Sequence, residues 1–223
     1  MLEFDSVSMR YLEVGDVLRN VSFRLSKGEI AFLTGHSGAG KSTLFKLIAM
    51  IERGNRGKII FNKKDLSQIR ASQIPYIRRE MGLIFQDYKL LNDRTVFDNV
   101  ALPLVIMGYT SKEINGLVRA ALSKVGLLGK ERKLPLTLSG GEQQRVGIAR
   151  AVVHKPLIIL ADEPTGNLDP ELSAEIMHLF EQFQSVGVTV LIATHDISLI
   201  STLNHRVLRL DHGSLVSGGK LTN

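Results

Sequence analysis

Gly35-His36-Ser37-Gly38-Ala39-Gly40-Lys41-Ser42 is a glycine-rich stretch closed by a lysine and a hydroxyl residue. Ile30-Ala31-Phe32-Leu33-Thr34, just before it, is a continuous apolar run, and helix-forming residues Lys41 to Ile51 follow. A buried strand therefore feeds a helix through a flexible turn, which is the context a phosphate-wrapping loop requires. The glycines let the backbone curl until successive N–H groups point at phosphate oxygens, and the helix N-terminus adds positive potential. Lys41 neutralises the outer phosphates, Ser42 is placed to give its hydroxyl to Mg²⁺, and Thr43 lies within reach of an α-phosphate. A glycine-rich turn without a ligand would not need strand, loop and helix all to agree.

Working outward, Leu157 to Ala161 and Val188 to Ala193 are short apolar runs with a helical pattern, Leu172 to Gln184, between them. That βαβ patterning predicts an α/β fold with a parallel sheet and helices on its faces. The first thirty residues alternate apolar pieces (Leu2-Glu3-Phe4, Val21 to Leu25) with turn formers such as Lys27-Gly28-Glu29, which predicts an N-terminal antiparallel β subdomain. From about Thr95 to His154 the pattern is helical, with breaks at Pro103, Gly108, Gly126 and Pro135. The expected organisation is one domain over 1–223, with a core of about 1–94 and 155–223 and a helical insertion of about 95–154. No internal repeat is visible. Gly213, Gly218 and Gly219 predict a poorly ordered tail after Asp211.

Composition narrows the class. Of 223 residues, 44% are hydrophobic and 22% charged, so the chain can bury a sizeable core. Without cysteine it has neither disulfides nor a thiolate metal site, which favours a reducing compartment. Met1-Leu2-Glu3-Phe4-Asp5 lacks the basic start of a secretory signal, and no apolar run approaches the ~18 residues of a spanning helix. A net charge of +6 permits contact with nucleic acid or an anionic membrane, although a solvated basic surface explains it as well. Part of the basic run Arg53, Arg56, Lys58, Lys63, Lys64, Arg70, Arg78 and Arg79 is expected to face an anionic leaflet or acidic loops of a membrane subunit.

Two further stretches carry chemistry. Leu157 to Glu163 reads as a buried strand ending in two carboxylates, at the sheet end where α/β folds bind ligands. Asp162 suits the shell of a magnesium ion, and Glu163 can accept a proton from, or orient, a water attacking a γ-phosphate. Leu138-Ser139-Gly140-Gly141-Glu142-Gln143 opens a helix running to about His154. Ser139 and Glu142 form a capping box, and the glycines leave the helix N–H groups unshielded, which makes a second anion site.

Together these residues resemble the ABC ATPase family over nearly the whole chain, with its motifs in order and at its spacing. The resemblance implies a P-loop NTPase with a RecA-like parallel sheet core and an ATP-hydrolysing activity. Gly35, His36, Ser37, Gly38, Ala39, Gly40, Lys41, Ser42 and Thr43 correspond to its nucleotide loop. Ser139, Gly141 and Gln143 match its signature, which contacts the γ-phosphate held by the other protomer. Gln86 matches the glutamine that senses Mg²⁺ and couples the site to a membrane subunit. Asp169, in Gly166-Asn167-Leu168-Asp169, matches the dimer-interface loop, and His195 matches the switch histidine that hydrogen-bonds the γ-phosphate. Tyr11 falls where the family stacks an aromatic ring on adenine. The implied assembly is a homodimer enclosing two ATP molecules, peripheral on the cytoplasmic face of the inner membrane beside an integral membrane subunit. Phe32 to Gly40 and Phe85 to Val96 are most similar to the cell-division branch, which regulates septal peptidoglycan hydrolysis and implies further division proteins as partners. Lipoprotein-releasing and peptide-exporting ATPases share the size and motifs. Soluble members acting on nucleic acid usually carry two cassettes or a coiled coil, so one cassette without heptads makes a nucleic-acid partner unexpected.

Overall fold

The computed structural model describes residues 1–166 and 168–218, so Asn167 and Gly219 of the stretches quoted above lie outside the described residues. The chain opens with β1 (Leu2–Tyr11), antiparallel to β2 (Gly15–Leu25). After β3 (Ile30–Thr34) and α1 (Lys41–Ile48), β4 (Arg56–Phe61) returns to the other edge of β1 and carries the short β5 (Lys64–Asp65). This four-stranded antiparallel sheet has the order β2-β1-β4-β5.

The second sheet has the order β10-β9-β3-β8-β7-β6. Its parallel members are β3, β6 (Met81–Ile84), β7 (Ile158–Asp162), β8 (Thr189–Ala193) and β9 (Arg206–Asp211). Only β10 (Ser214–Ser217) runs antiparallel, closing a hairpin on β9. The apolar runs noted in the sequence are unbroken because both faces of this sheet are covered. Ala31, Leu33, Ile158, Leu160, Leu191 and Ala193 enter one core, shared with α1 and the antiparallel sheet. Their neighbours Ile30, Phe32, Ile159, Ala161, Val190 and Ile192 enter the other, shared with the helices. Alternate residues of each strand thus serve opposite cores.

Between β6 and β7 lie α3 (Val96–Met107), α4 (Ser111–Lys124) and α5 (Gly140–Val152). Three capping boxes, at Thr95, Thr110 and Ser139, fix where these helices begin. α6 (Pro170–Ser185) and the short α7 (Ile197–Thr202) complete the chain, with α2 (Ile74–Arg78) preceding β6. No helix among the described residues is long and apolar enough to cross a membrane.

Three expectations need correction. Pro103 lies inside α3 and does not break it, because the buried face Val96, Val100, Ala101 and Leu104 holds the helix on the core. Helix α1 stops at Ile48, before Ile51: Met50 takes a left-handed φ of 54°, and the Arg78 guanidinium donates to the carbonyls of Ala49 and Met50. The tail is ordered as far as Gly218, since His212 (φ 44°) and Gly213 (φ 80°) both take left-handed backbone, as a two-residue type I′ hairpin requires.

Gly82 in β6 governs how closely α5 lies on the sheet, since a β-carbon there would stand 2.4 Å from the Ala151 carbonyl oxygen. Gly82→Ala is therefore expected to cost about 1–3 kcal/mol in urea unfolding through overpacking. Gly116→Ala, in open space on α4, is expected to leave stability unchanged or raise it by up to about 1 kcal/mol. Equal effects of the two substitutions would contradict the close approach.

Candidate functional site

The chemically active side chains follow the carboxyl ends of parallel strands. The glycine-rich loop leaves β3, Gln86 lies two residues beyond β6, Asp162 ends β7 with Glu163 next, and His195 lies two residues beyond β8. They line one cleft of about 700 Å³ together with Tyr11, Val14 and Val17. This is where α/β sheets bind ligands.

Two close backbone approaches shape the loop. At Gly35 a β-carbon would lie 2.4 Å from the Leu210 carbonyl oxygen of β9. Gly40 is left-handed (φ 106°), and a β-carbon there would meet the Val17 carbonyl oxygen at 2.9 Å. With the loop pinned at both ends, Ser37 and Gly38 face solvent and α1 begins at Lys41. The Lys41 ammonium lies within the curl, donating to the carbonyls of Gly35 (2.7 Å) and His36 (3.2 Å). Thr43 is buried one turn into the helix. Tyr11 stands at the cleft rim, where its hydroxyl donates to Glu52, which also accepts from Lys46 at 3.1 Å.

Across the cleft, the Ser42 hydroxyl donates to Asp162 Oδ2 at 3.2 Å. Burial pushes the Asp162 carboxyl above the usual carboxylate range; the Ser42 hydrogen bond pulls it back, the Glu163 charge pushes it further up, and Lys41 opposes that. Glu163 has a left-handed φ of 48°, an expensive conformation for a side-chain-bearing residue, held by its N–H donating to Ala193 O at 2.9 Å. Its Oε1 lies 2.9 Å from His195 Nδ1, while Oε2 is buried without a protein partner. The histidine itself is exposed. The site thus holds a carboxylate with one oxygen engaged and the other available, beside a hydroxyl and a second carboxylate.

Ser139, Gly141, Gln143 and Asp169 do not line this cleft. Ser139 Oγ caps α5 by accepting from Glu142 N–H, and Gln143 Nε2 donates to Leu138 O at 3.1 Å. Asp169 caps α6 by accepting from Leu172 N–H at 2.9 Å. Leu172 in turn lies directly against Gly141, so the two helix starts form one surface. Ser139 and Gly140 are exposed there.

Two residues outside the sequence-based set tie these parts together. Gln144 is buried and donates to Pro164 O at 2.7 Å, fixing α5 to the loop after Glu163. Arg150, also on α5, donates to Tyr88 O (2.7 Å) and Lys89 O (2.6 Å), holding the left-handed segment that follows Gln86. Neither stands at a motif spacing; the only sequence signal is a polar residue on an otherwise apolar helix face.

The family model described as ABC transporter matches residues 18–166. The chain belongs to the ABC transporter family. Among curated relatives, the cell division ATP-binding protein FtsE of Escherichia coli (strain K12) is 57% identical over 218 residues, covering 98% of each chain. That of Haemophilus influenzae is 52% identical over 96% of this chain and 99% of the relative. Among solved structures, the ATP-binding cassette MJ0796, a post-hydrolysis dimer bound to ADP and Pi, superposes with a TM-score of 0.90 at 31% identity over the full length of both. This protein is thus an ABC ATPase with the expected α/β fold, parallel core, antiparallel β region and helical region.

The raised Asp162 proton affinity has a stability consequence in this ABC ATPase. A group protonated more readily when folded contributes its stability below the unfolded value, about 3.8, and loses it as pH rises through the folded value. Asp162→Asn is therefore expected to raise the unfolding midpoint of the nucleotide-free chain at neutral pH, with the gain disappearing below that value. A gain that persists at low pH would contradict burial as the cause.

Proposed function

We propose that this chain is an FtsE-like motor subunit that binds ATP with Mg²⁺, hydrolyses it as a head-to-tail homodimer, and acts with an FtsX-like integral membrane protein to regulate septal peptidoglycan hydrolysis. The observation that carries the catalytic part is Glu163, whose Oε1 engages His195 while Oε2 remains free inside the cleft that the phosphate loop closes. The loop N–H groups and Lys41 receive the β- and γ-phosphates. Ser42 and Asp162 offer oxygen donors 3.2 Å apart, and a buried carboxylate with raised proton affinity is one that a hard cation would stabilise, so this pair fits Mg²⁺ with Gln86 completing its side. When bound, Mg²⁺ neutralises charge on the β- and γ-oxygens. Glu163 orients or deprotonates the attacking water, whose oxygen bonds to the γ-phosphorus as the bond to the β–γ bridging oxygen breaks and ADP leaves. His195 hydrogen-bonds the γ-phosphate, and Tyr11 meets the adenine.

The signature surface supports the dimer reading. Ser139 is exposed at a helix start outside the cleft, with Gly141 buried under Leu172 and Gln143 half-buried behind it, so this helix start would reach a γ-phosphate from a second copy, with Asp169 beside it at the interface. The post-hydrolysis dimer of MJ0796 supports the same arrangement. For the membrane partner, a cleft of about 510 Å³ between β6 and α3 combines Leu83, Phe85, Leu102 and Ile106 with Arg79 and Lys89 at its edge. An apolar segment bearing acidic residues suits it, which favours a peripheral position on the cytoplasmic face of the inner membrane. Sequence similarity to FtsE along the whole chain favours the division role over an exporter role.

Glu163→Gln removes the carboxylate charge at nearly constant size, so turnover should fall by about two to four orders of magnitude, the range of general-base effects, while ATP still binds. This variant should accumulate as an ATP-dependent dimer in size-exclusion chromatography with light scattering. Adding Ser139→Arg should block the dimer, and ADP should not support it. A doubly substituted chain that dimerises as well as Glu163→Gln alone would remove the signature residues from their assigned role.

A further inference from the structure

The side chains of His36, Asp211 and His212 converge beside the phosphate loop. His36 is the second residue of that loop, while Asp211 and His212 form the β9–β10 turn. One ligand atom from each residue lies within 4.8 Å of the others. Asp211 Oδ1 stands 3.5 Å from His36 Nε2 and 3.9 Å from His212 Nε2. Ligands bound at about 2.0–2.1 Å to a tetrahedral zinc are about 3.4 Å apart, so these separations need little adjustment to close on one ion.

The hydrogen bonding of His36 points the same way. Its Nδ1 lies 2.7 Å from the Ser37 carbonyl oxygen, which can only accept, so Nδ1 carries the proton. In the neutral ring, Nε2 then turns a lone pair toward the Asp211 carboxylate, and His212 brings a second ring nitrogen to the same oxygen. The His36 lone pair and the carboxylate are both acceptors, and a cation between them would satisfy both. A ring whose second nitrogen donates to a backbone carbonyl is also the usual support of a metal-ligating histidine.

The backbone that carries these three exposed side chains is fixed. Gly35 packs on Leu210 O, immediately before Asp211, and a β-carbon on Gly213 would stand 2.4 Å from Val17 O. Arg19 N–H donates to Gly213 O at 2.8 Å. The loop and the hairpin turn are therefore held in register by backbone, while the three side chains remain open to solvent, leaving room for water on a bound ion.

We propose that His36, Asp211 and His212 form a binding site for a borderline divalent transition metal of the Zn²⁺ class, with water in the remaining position, that latches the phosphate loop to the β9–β10 hairpin. Nitrogen donors from two imidazoles select such an ion over Mg²⁺. A divalent charge beside the loop draws the nucleotide phosphates, so metal and nucleotide strengthen each other's binding by the same factor.

The test uses the full chain without nucleotide, in equilibrium dialysis against Zn²⁺ with excess Mg²⁺, alongside Asp211→Asn and His212→Asn. Asn suits the left-handed first position of a type I′ turn, so His212→Asn keeps the hairpin and removes only the ligand. One Zn²⁺ per chain is expected in the wild type, with affinity lowered at least about tenfold in both variants. Zn²⁺ should also raise the unfolding midpoint of the wild type and not of His212→Asn. Zn²⁺ affinity unchanged in His212→Asn, or lost instead in Asp162→Asn, would overturn the site. Fluorescent ADP should bind several-fold more tightly with Zn²⁺ present in the wild type only; equal affinity with and without Zn²⁺ would overturn the coupling while dialysis still decides the site.

Discussion

The Leu210 carbonyl oxygen and the α-carbon of Gly35 are in such close contact that no side chain fits between them. That contact brings β9 alongside β3 at the point where the phosphate loop leaves the sheet. With Gly40 against Val17 at the loop's far end, it fixes the path of six residues whose N–H groups must point inward together. A loop free to relax would satisfy those groups with water, and the preorganisation that favours phosphate would be lost. The antiparallel sheet, through β2, and the parallel sheet, through β9, both take part in shaping it.

The rest of the cassette is arranged around that loop by the strand order. Placing β8 between β3 and β7 aligns Leu33, Ala193 and Asp162 across the sheet, so the loop, His195 and the two carboxylates emerge side by side. Helix α5 then links this site to the surface. Its N-terminus presents Ser139, its middle holds the Glu163 loop through Gln144, and its last turn holds the Gln86 segment through Arg150. The Ser139 helix start, the loop after Glu163 and the segment after Gln86 are therefore all tied to one helix.

Much of this was legible in the sequence because burial writes itself into composition. Ile30–Thr34 and Ile158–Asp162 are apolar on both faces, and three capping boxes announce helix starts. Glycine was harder to read, because the same residue loosens a tail or permits a left-handed turn. Gly213 does the second, with His212 in the position where asparagine is more familiar. Strand β6 is four residues long and contains Gly82, so it carries too little pattern to be distinguished from a loop. Pro103 misleads for a different reason: its local cost is overridden by the burial of Val100 and Leu104 around it, which no local rule weighs. Gln144 and Arg150 act on backbone carbonyls far away in sequence, and such bonds leave no periodic trace.

The central claim is that the curl from Gly35 to Ser42 encloses the phosphates of ATP, with Lys41 as its cation. The most direct measurement is the affinity of fluorescent ATP for the wild type and Lys41→Ala, with unfolding curves recorded for both. Removing the ammonium deletes charge-assisted hydrogen bonds of about 1.5–3 kcal/mol each, so affinity should fall at least about tenfold while stability is retained. Equal affinity in the two proteins would contradict the account.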